Sequence, residues 1–159
     1  MIKITIIALG KLKEKYLREA SCEYEKRLTR YCKLNIIELS PVNLSENPSQ
    51  NEIEAALLKE AEQIEKRIPQ GSAVAAFCIE GKAVSSEDFS KLISKNTDNG
   101  KNMCFIIGSS YGISNSLKQK VDLRLSMSPM TFPHQLFRIM CLEQLYRSFK
   151  IGEGSAYHK

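Results

Sequence analysis

MCFIIGSSYGISNSLKQKVDLRLSMSPMTFPH, residues 103–134, is the stretch on which the fold turns. An apolar run, Phe105, Ile106 and Ile107, stops at Gly108 and opens into Ser109, Ser110, Tyr111 and Gly112. A short helical segment follows. A second strand-like run over residues 122–128 then falls into Pro129, Met130, Thr131, Phe132, Pro133 and His134. Two strands that each end in a loop leading to a helix predict an open α/β sheet, and such sheets bind small ligands beyond the carboxyl ends of their strands.

The same alternation extends in both directions. Residues 2–9 form an isoleucine-rich strand ended by Gly10, and Leu12, Tyr16, Ala20, Tyr24 and Leu28 then recur every four residues as the stripe of a helix. Its other face interleaves Lys13, Lys15, Arg18, Lys26, Arg27 and Arg30 with Glu14, Glu19, Glu23 and Glu25, a solvated surface with ion pairs one turn apart or an RNA-contacting one. A second strand is expected over residues 34–39, a flexible loop over 41–50, and a helix over 51–67 with Ile53, Leu57, Ala61 and Ile64 on one face. A third strand over 73–79 leads to a turn at Glu80, Gly81 and Lys82, and Ser85 with Asp88 reads as a capping box opening the next helix. From Pro133 a long helix runs to Lys150. Its apolar residues Leu136, Phe137, Ile139, Met140, Leu142, Leu145, Tyr146 and Phe149 spread over more than one face. One face must cover the sheet, and the other is expected to meet a partner subunit. The order predicts a single domain over residues 1–159, an α/β fold with a mostly parallel sheet and helices on both faces.

Composition narrows the function. The chain has 159 residues, 43% of them hydrophobic and 26% charged, an ordinary balance for a globular domain. No run approaches the roughly 18 apolar residues of a membrane span, and residues 2–10 are too short for a signal peptide, so a cytoplasmic protein without a membrane partner is expected. Five cysteines, Cys22, Cys32, Cys78, Cys104 and Cys141, share no paired spacing, and with only His134 and His158 present neither a disulfide framework nor a metal centre is expected. Residues 1–100 carry 15 Lys/Arg against 15 Asp/Glu, whereas residues 101–159 carry 8 against 3, so the whole net charge of +5 lies in the part with the candidate site. That asymmetry suits a polyanionic partner.

Several chemistries lack their residues. No G-x-G-x-x-G follows the first strand, no phosphate-binding lysine follows Gly108, and Ser109, His134 and Asp122 lack the G-x-S-x-G elbow of a hydrolase triad. What remains is a glycine-lined pocket at two strand ends, where backbone can approach a planar or sulfonium ligand, with Met127, Met130 and Phe132 as apolar, polarisable walls or as core.

The run Leu125-Ser126-Met127-Ser128-Pro129-Met130-Thr131-Phe132-Pro133-His134-Gln135, continued by Arg138, Glu143-Gln144-Leu145-Tyr146-Arg147 and Tyr157-His158-Lys159, resembles the SPOUT-class methyltransferases that modify N3 of a pseudouridine in bacterial 23S ribosomal RNA. Glu23-Tyr24-Glu25-Lys26-Arg27-Leu28 and Gly81-Lys82 with Ser85-Ser86-Glu87 extend the resemblance over the full chain. It implies an α/β knot, with a trefoil knot near the C-terminus, a homodimer, and S-adenosylmethionine as cofactor. The implied acceptor is the helix 69 loop of 23S rRNA on the assembled ribosome. Carried over by position, cofactor contacts fall on Phe77, Gly108, Met127, Ser128, Pro129, Met130, Thr131 and Phe132. His158 and Tyr157 become catalytic candidates, His158 as the group that accepts or steers the N3 proton. His134, Arg138, Arg147 and Lys159 become RNA-binding candidates, with Lys82 and Arg124 on the same basic rim. Relatives usually carry a second glycine at Ser109 and a leucine at Phe77, so bulk is expected to be added at the cofactor. A non-catalytic RNA-binding dimer of this fold and a small-molecule enzyme are the competing readings.

Overall fold

A computed structural model of the chain describes residues 1–158. Five strands, β1 (Lys3–Leu9), β2 (Lys33–Leu39), β3 (Ala73–Ala83), β4 (Met103–Ile107) and β5 (Leu123–Ser126), form one sheet in the order β2-β1-β4-β3-β5. Every neighbouring pair is parallel, so the sheet is parallel throughout. The strands alternate with α1 (Lys15–Leu28), α2 (Gln50–Glu65), α3 (Ser86–Asp98), α4 (Asn115–Lys120) and α5 (His134–Gly152), and a single 3-10 turn, Ala156–His158, follows.

Helices cover both faces because the inner strands are apolar on both. In β4 all five residues are buried: Met103, Phe105 and Ile107 join one cluster with Leu28 of α1, Phe89 and Ile93 of α3 and Cys141, Leu142 and Leu145 of α5. Cys104 and Ile106 face the opposite cluster, with Ala61 and Ile64 of α2 and Leu117 of α4. Phe105 is the centre of the first cluster, its ring 5.9 Å from Phe77 and 5.7 Å from Phe89. Burial pushes the thiols of Cys32, Cys104 and Cys141 up to about 12, which makes them small apolar fillers.

Two expectations are corrected. The four-residue stripe of the first helix does not describe its buried face. Tyr16 is 66% exposed, whereas Leu17, Ser21 and Leu28 are buried and Tyr24 packs against the cluster that contains Leu28. A helix repeats every 3.6 residues, so a strict spacing of four drifts off the core within two turns. The turn expected at residues 80–82 is part of β3. Leu125 pairs with Phe77 and again with Lys82, and the residues between bulge outward. Gly81 permits the bulge, since a Cβ there would lie 2.6 Å from the Leu125 carbonyl carbon.

The capping expectation holds in its first half. Ser85 accepts the Asp88 N–H at 3.0 Å, while the Asp88 carboxylate turns to Lys91 at 3.5 Å. Ser49 caps α2 and Ser114 caps α4 in the same way.

Candidate active site

The carboxyl ends of β3, β4 and β5 enclose a cleft of about 330 Å³. The bulge of β3 contributes Phe77, Cys78, Ile79 and Glu80, and the segment after β4 contributes the backbone from Gly108 to Gly112. The segment after β5 contributes Met127, Ser128, Met130, Thr131 and Phe132, and α5 closes the cleft with His134 and Phe137. Sequence reasoning placed Phe77, Gly108 and residues 127–132 at one site. All of these line the cleft except Pro129, which lies between two residues that do.

Both glycines of the turn are required. A Cβ on Gly108 would sit 2.4 Å from the Gly112 carbonyl oxygen, and Gly112 itself has φ +87°. The Gly112 N–H donates to the Ser109 carbonyl at 2.9 Å and closes the turn. On the opposite wall the Ser128 hydroxyl accepts the Met130 N–H at 2.9 Å, and Ser126 donates to the Ser128 carbonyl at 3.2 Å. Each wall is therefore a short loop braced by its own hydrogen bonds.

The two residues expected to add bulk are each engaged elsewhere. Phe77 packs edge-on against Phe137 at 5.2 Å and stacks on Phe105, so its ring is anchored in the core where the core meets the cleft. The Ser109 hydroxyl donates to Glu60 at 2.8 Å. At the rim Lys118 pairs with Glu80, and that bond is the main reason the Glu80 carboxyl lies below its ordinary range.

The tail residues come together, but not on the cleft. The Tyr157 hydroxyl donates to Glu143 at 3.0 Å, its ring meets Tyr146 edge-on at 5.1 Å, and the Arg147 guanidinium covers it at 4.9 Å. Burial, then the Glu143 carboxylate, raises the Tyr157 phenol above its usual range, so it remains protonated. His158 Nε2 lies 2.6 Å from Glu87 Oε1 in the first turn of α3. The residues just before Glu87, Ser85 and Ser86, share a smaller hollow with Phe77 and Met127, which also line the main cleft. The tail is thus held at the helix turn that borders this hollow.

The expected RNA contacts divide. Arg147 holds Glu143 one turn away, with Nε 2.7 Å from the carboxylate, and its side chain is partly exposed. Arg138 does not fit an anchor for external phosphate: it is 3% exposed, pairs with Glu38 at 2.6 Å and donates to the Gly10 carbonyl at 2.7 Å. Packing of α5 on the loop after β1 buries it. His134 lines the cleft with its imidazole held below its ordinary value, by burial first and then by Arg138 and Lys13, so near neutrality it is uncharged. Lys159 lies outside the described residues. Among the described residues no cluster of metal-ligating side chains occurs, and no helix is long and apolar enough to cross a membrane.

Sequence reasoning missed Glu60, Glu80, Glu87 and Lys118. Glu60 had a visible sign, because it falls on the same helical stripe as Ala56, Ala61 and Ile64, where a carboxylate is out of place. The others are ordinary surface charges until the fold sets them beside their partners.

Over residues 2–158 the chain matches the family described as "Predicted SPOUT methyltransferase". It is 50% identical over 159 residues to the "Ribosomal RNA large subunit methyltransferase H" of Clostridium kluyveri, covering 99% of this chain and 100% of that protein. Identity is 49% with the "Putative ribosomal RNA large subunit methyltransferase H" of Methanococcus vannielii and 44% with the "Ribosomal RNA large subunit methyltransferase H" of Streptococcus equi subsp. zooepidemicus, each over 99% of this chain and 100% of the relative.

Proposed function

Because the chain belongs to the SPOUT methyltransferase family, we propose that it methylates large-subunit ribosomal RNA, taking the methyl group from S-adenosylmethionine and placing it on N3 of a pseudouridine in the helix 69 loop of the assembled ribosome. The observation that carries this reading is the cleft at the ends of β3, β4 and β5. Its volume of about 330 Å³ lies within the range of roughly 300–1,000 Å³ common to small-ligand sites, with apolar walls and exposed loop backbone. The residues present fit the cofactor. Gly108 and Gly112 bring bare backbone to one side, and Phe77, Met127, Met130 and Phe132 supply apolar surface for a nucleoside, with Ser128, Pro129 and Thr131 completing the second loop. Since Phe77 packs into the core and Ser109 is bonded to Glu60, neither residue argues for a non-catalytic relative.

S-adenosylmethionine supplies an electrophilic methyl on a sulfonium. The chain must orient the two reactants in line and manage the N3 proton, and orientation carries the larger share of the rate. His158 is the proton-handling group of this reading. With Nε2–H donated to Glu87, Nδ1 has no hydrogen-bond partner among the described residues and can accept the imide proton. Tyr157, held as a neutral phenol by burial and then by Glu143, orients the base by stacking or hydrogen bonding. Arg147 and Lys159 attract the RNA backbone, His134 is a neutral wall rather than a cation, and Arg138 holds the loop that begins at Gly10.

The same reading includes a homodimer, a trefoil knot formed by the C-terminal segment, and action in the cytoplasm, where ribosomes are found. The second face of α5 supports the dimer, since Leu136 is 40% exposed and Ile139 and Met140 are only partly covered. The deciding experiment is transfer of radiolabelled methyl to ribosomes lacking the modification, with free ribosomal RNA and small acceptors alongside. Label should enter the large-subunit RNA of assembled ribosomes; no transfer to any RNA would overturn the proposal.

A further inference from the structure

Glu60 is 4% exposed on the inner face of α2 and has no part in the reaction described above. Among the described residues no basic side chain pairs with it. A carboxylate removed from water needs hydrogen bonds to offset its lost hydration. Glu60 has two. Oε1 accepts the Ser109 hydroxyl at 2.8 Å, and Oε2 accepts the backbone N–H of Val42, in the loop between β2 and α2, at 2.9 Å.

Ser109 stands inside the cleft-lining turn, between Gly108, which has no room for a side chain, and Gly112, which bonds back to the Ser109 carbonyl. Among the described residues the Ser109 hydroxyl is the one side-chain hydrogen bond from residues 108–112 to another element. A glycine-rich turn has many conformations open to it, and a single charge-assisted bond at its centre selects one.

We infer that Glu60 is a positioning residue for the methyl-donor cleft: through Ser109 it holds the turn at residues 108–112 in its binding conformation, and through Val42 it joins the β2–α2 loop to that turn. The inference rests on reading the cleft as a methyl-donor site. It assigns work to the Ser109 hydroxyl, and it makes Glu60 more than a tolerated buried charge. A carboxylate that served stability alone would change the melting temperature and leave donor affinity of the folded protein untouched.

The test uses the full chain as wild type, Ser109→Ala, Glu60→Gln and the double variant. Calorimetry with S-adenosylmethionine and steady-state kinetics on ribosomes give donor Kd, KM and kcat. Hydrogen exchange at the Gly112 amide is followed without donor. Each single variant should raise Kd and KM for the donor about tenfold, with kcat at saturating donor within about twofold, as expected for loss of one charge-assisted bond. The double variant should be no weaker than the weaker single one, and Gly112 should exchange faster in all three. Unchanged donor affinity in the single variants, independent losses that multiply in the double one, or unchanged Gly112 exchange would each overturn the inference. If wild type itself binds no donor, the methyl-donor reading falls instead, and Gly112 exchange alone still decides whether Glu60 positions the turn.

Discussion

His158 and His134 are the only histidines, and the fold gives them opposite surroundings. His158 meets a carboxylate, Glu87, at 2.6 Å, which engages one ring nitrogen. Removing it by His158→Ala should keep donor binding by calorimetry and lower turnover about 100-fold, the scale of a lost general base; unchanged turnover would take His158 out of the mechanism. His134 meets partial burial and two cations, so its folded pKa lies below the ordinary 6.5. The unfolded chain then takes up this proton first, so the His134 contribution to stability should decline as pH falls through 6.5 and level off below the folded value. An NMR titration of the imidazole checks the premise, and a midpoint at or above 6.5 would refute it. The sequence marked both histidines as candidates from their motif. It carried no clear sign that one would be neutral: Arg138 lies one turn along α5, but the burial of His134 and the approach of Lys13, from the loop after β1, come only with the fold.

At the scale of elements, α3 depends on its first turn. Ser85 caps it, Glu87 and Asp88 place acid at the positive end of the helix dipole, and Glu87 also receives His158. Ser85→Ala should cost about 1 kcal/mol of stability, measured by urea denaturation. It should also weaken activity more than stability alone explains, because the same turn lines the hollow beside Phe77 and Met127. An activity loss that tracks the unfolded fraction would remove that link. The Ser85 half of the capping box was legible because donor and acceptor are close in sequence. The bulge in β3 was not, because Glu80, Gly81 and Lys82 have the composition of a turn and only the pairing of Leu125 with both Phe77 and Lys82 holds them in a strand. That bulge supplies Cys78, Ile79 and Glu80 to the cleft wall.

At the scale of the whole molecule, the second face of α5 points outward. The proposed homodimer should appear in light scattering as twice the chain mass, and Leu136→Glu should yield a folded monomer with much reduced transfer to ribosomes. A dimeric, active Leu136→Glu variant would move the interface elsewhere. Leu136 suits this test because its 40% exposure lets a charge be introduced without opening the core at Cys141, Leu142 and Leu145. Binding to ribosomes should weaken steeply with salt, since contacts made by Arg147 and its neighbours release counterions from the RNA.

Local pattern was enough for the alternation of strands and helices, the parallel sheet, the cap of α3 and the two loops after β4 and β5 that form the cleft. Each of these is written in residues near one another, as a hydrophobic period, a glycine where backbone must bend, or a proline at a helix start. Only the tertiary structure decided that Arg138 is an internal tie to Glu38 and Gly10 rather than a surface cation, and that Tyr157 and His158 fold back onto Glu143 and Glu87. It also set the Ser109 hydroxyl against a buried Glu60. The physical reason is common to all of them. A charged or polar side chain takes its role from the partner that meets it, and in this chain most of those partners arrive from 49 to 128 residues away.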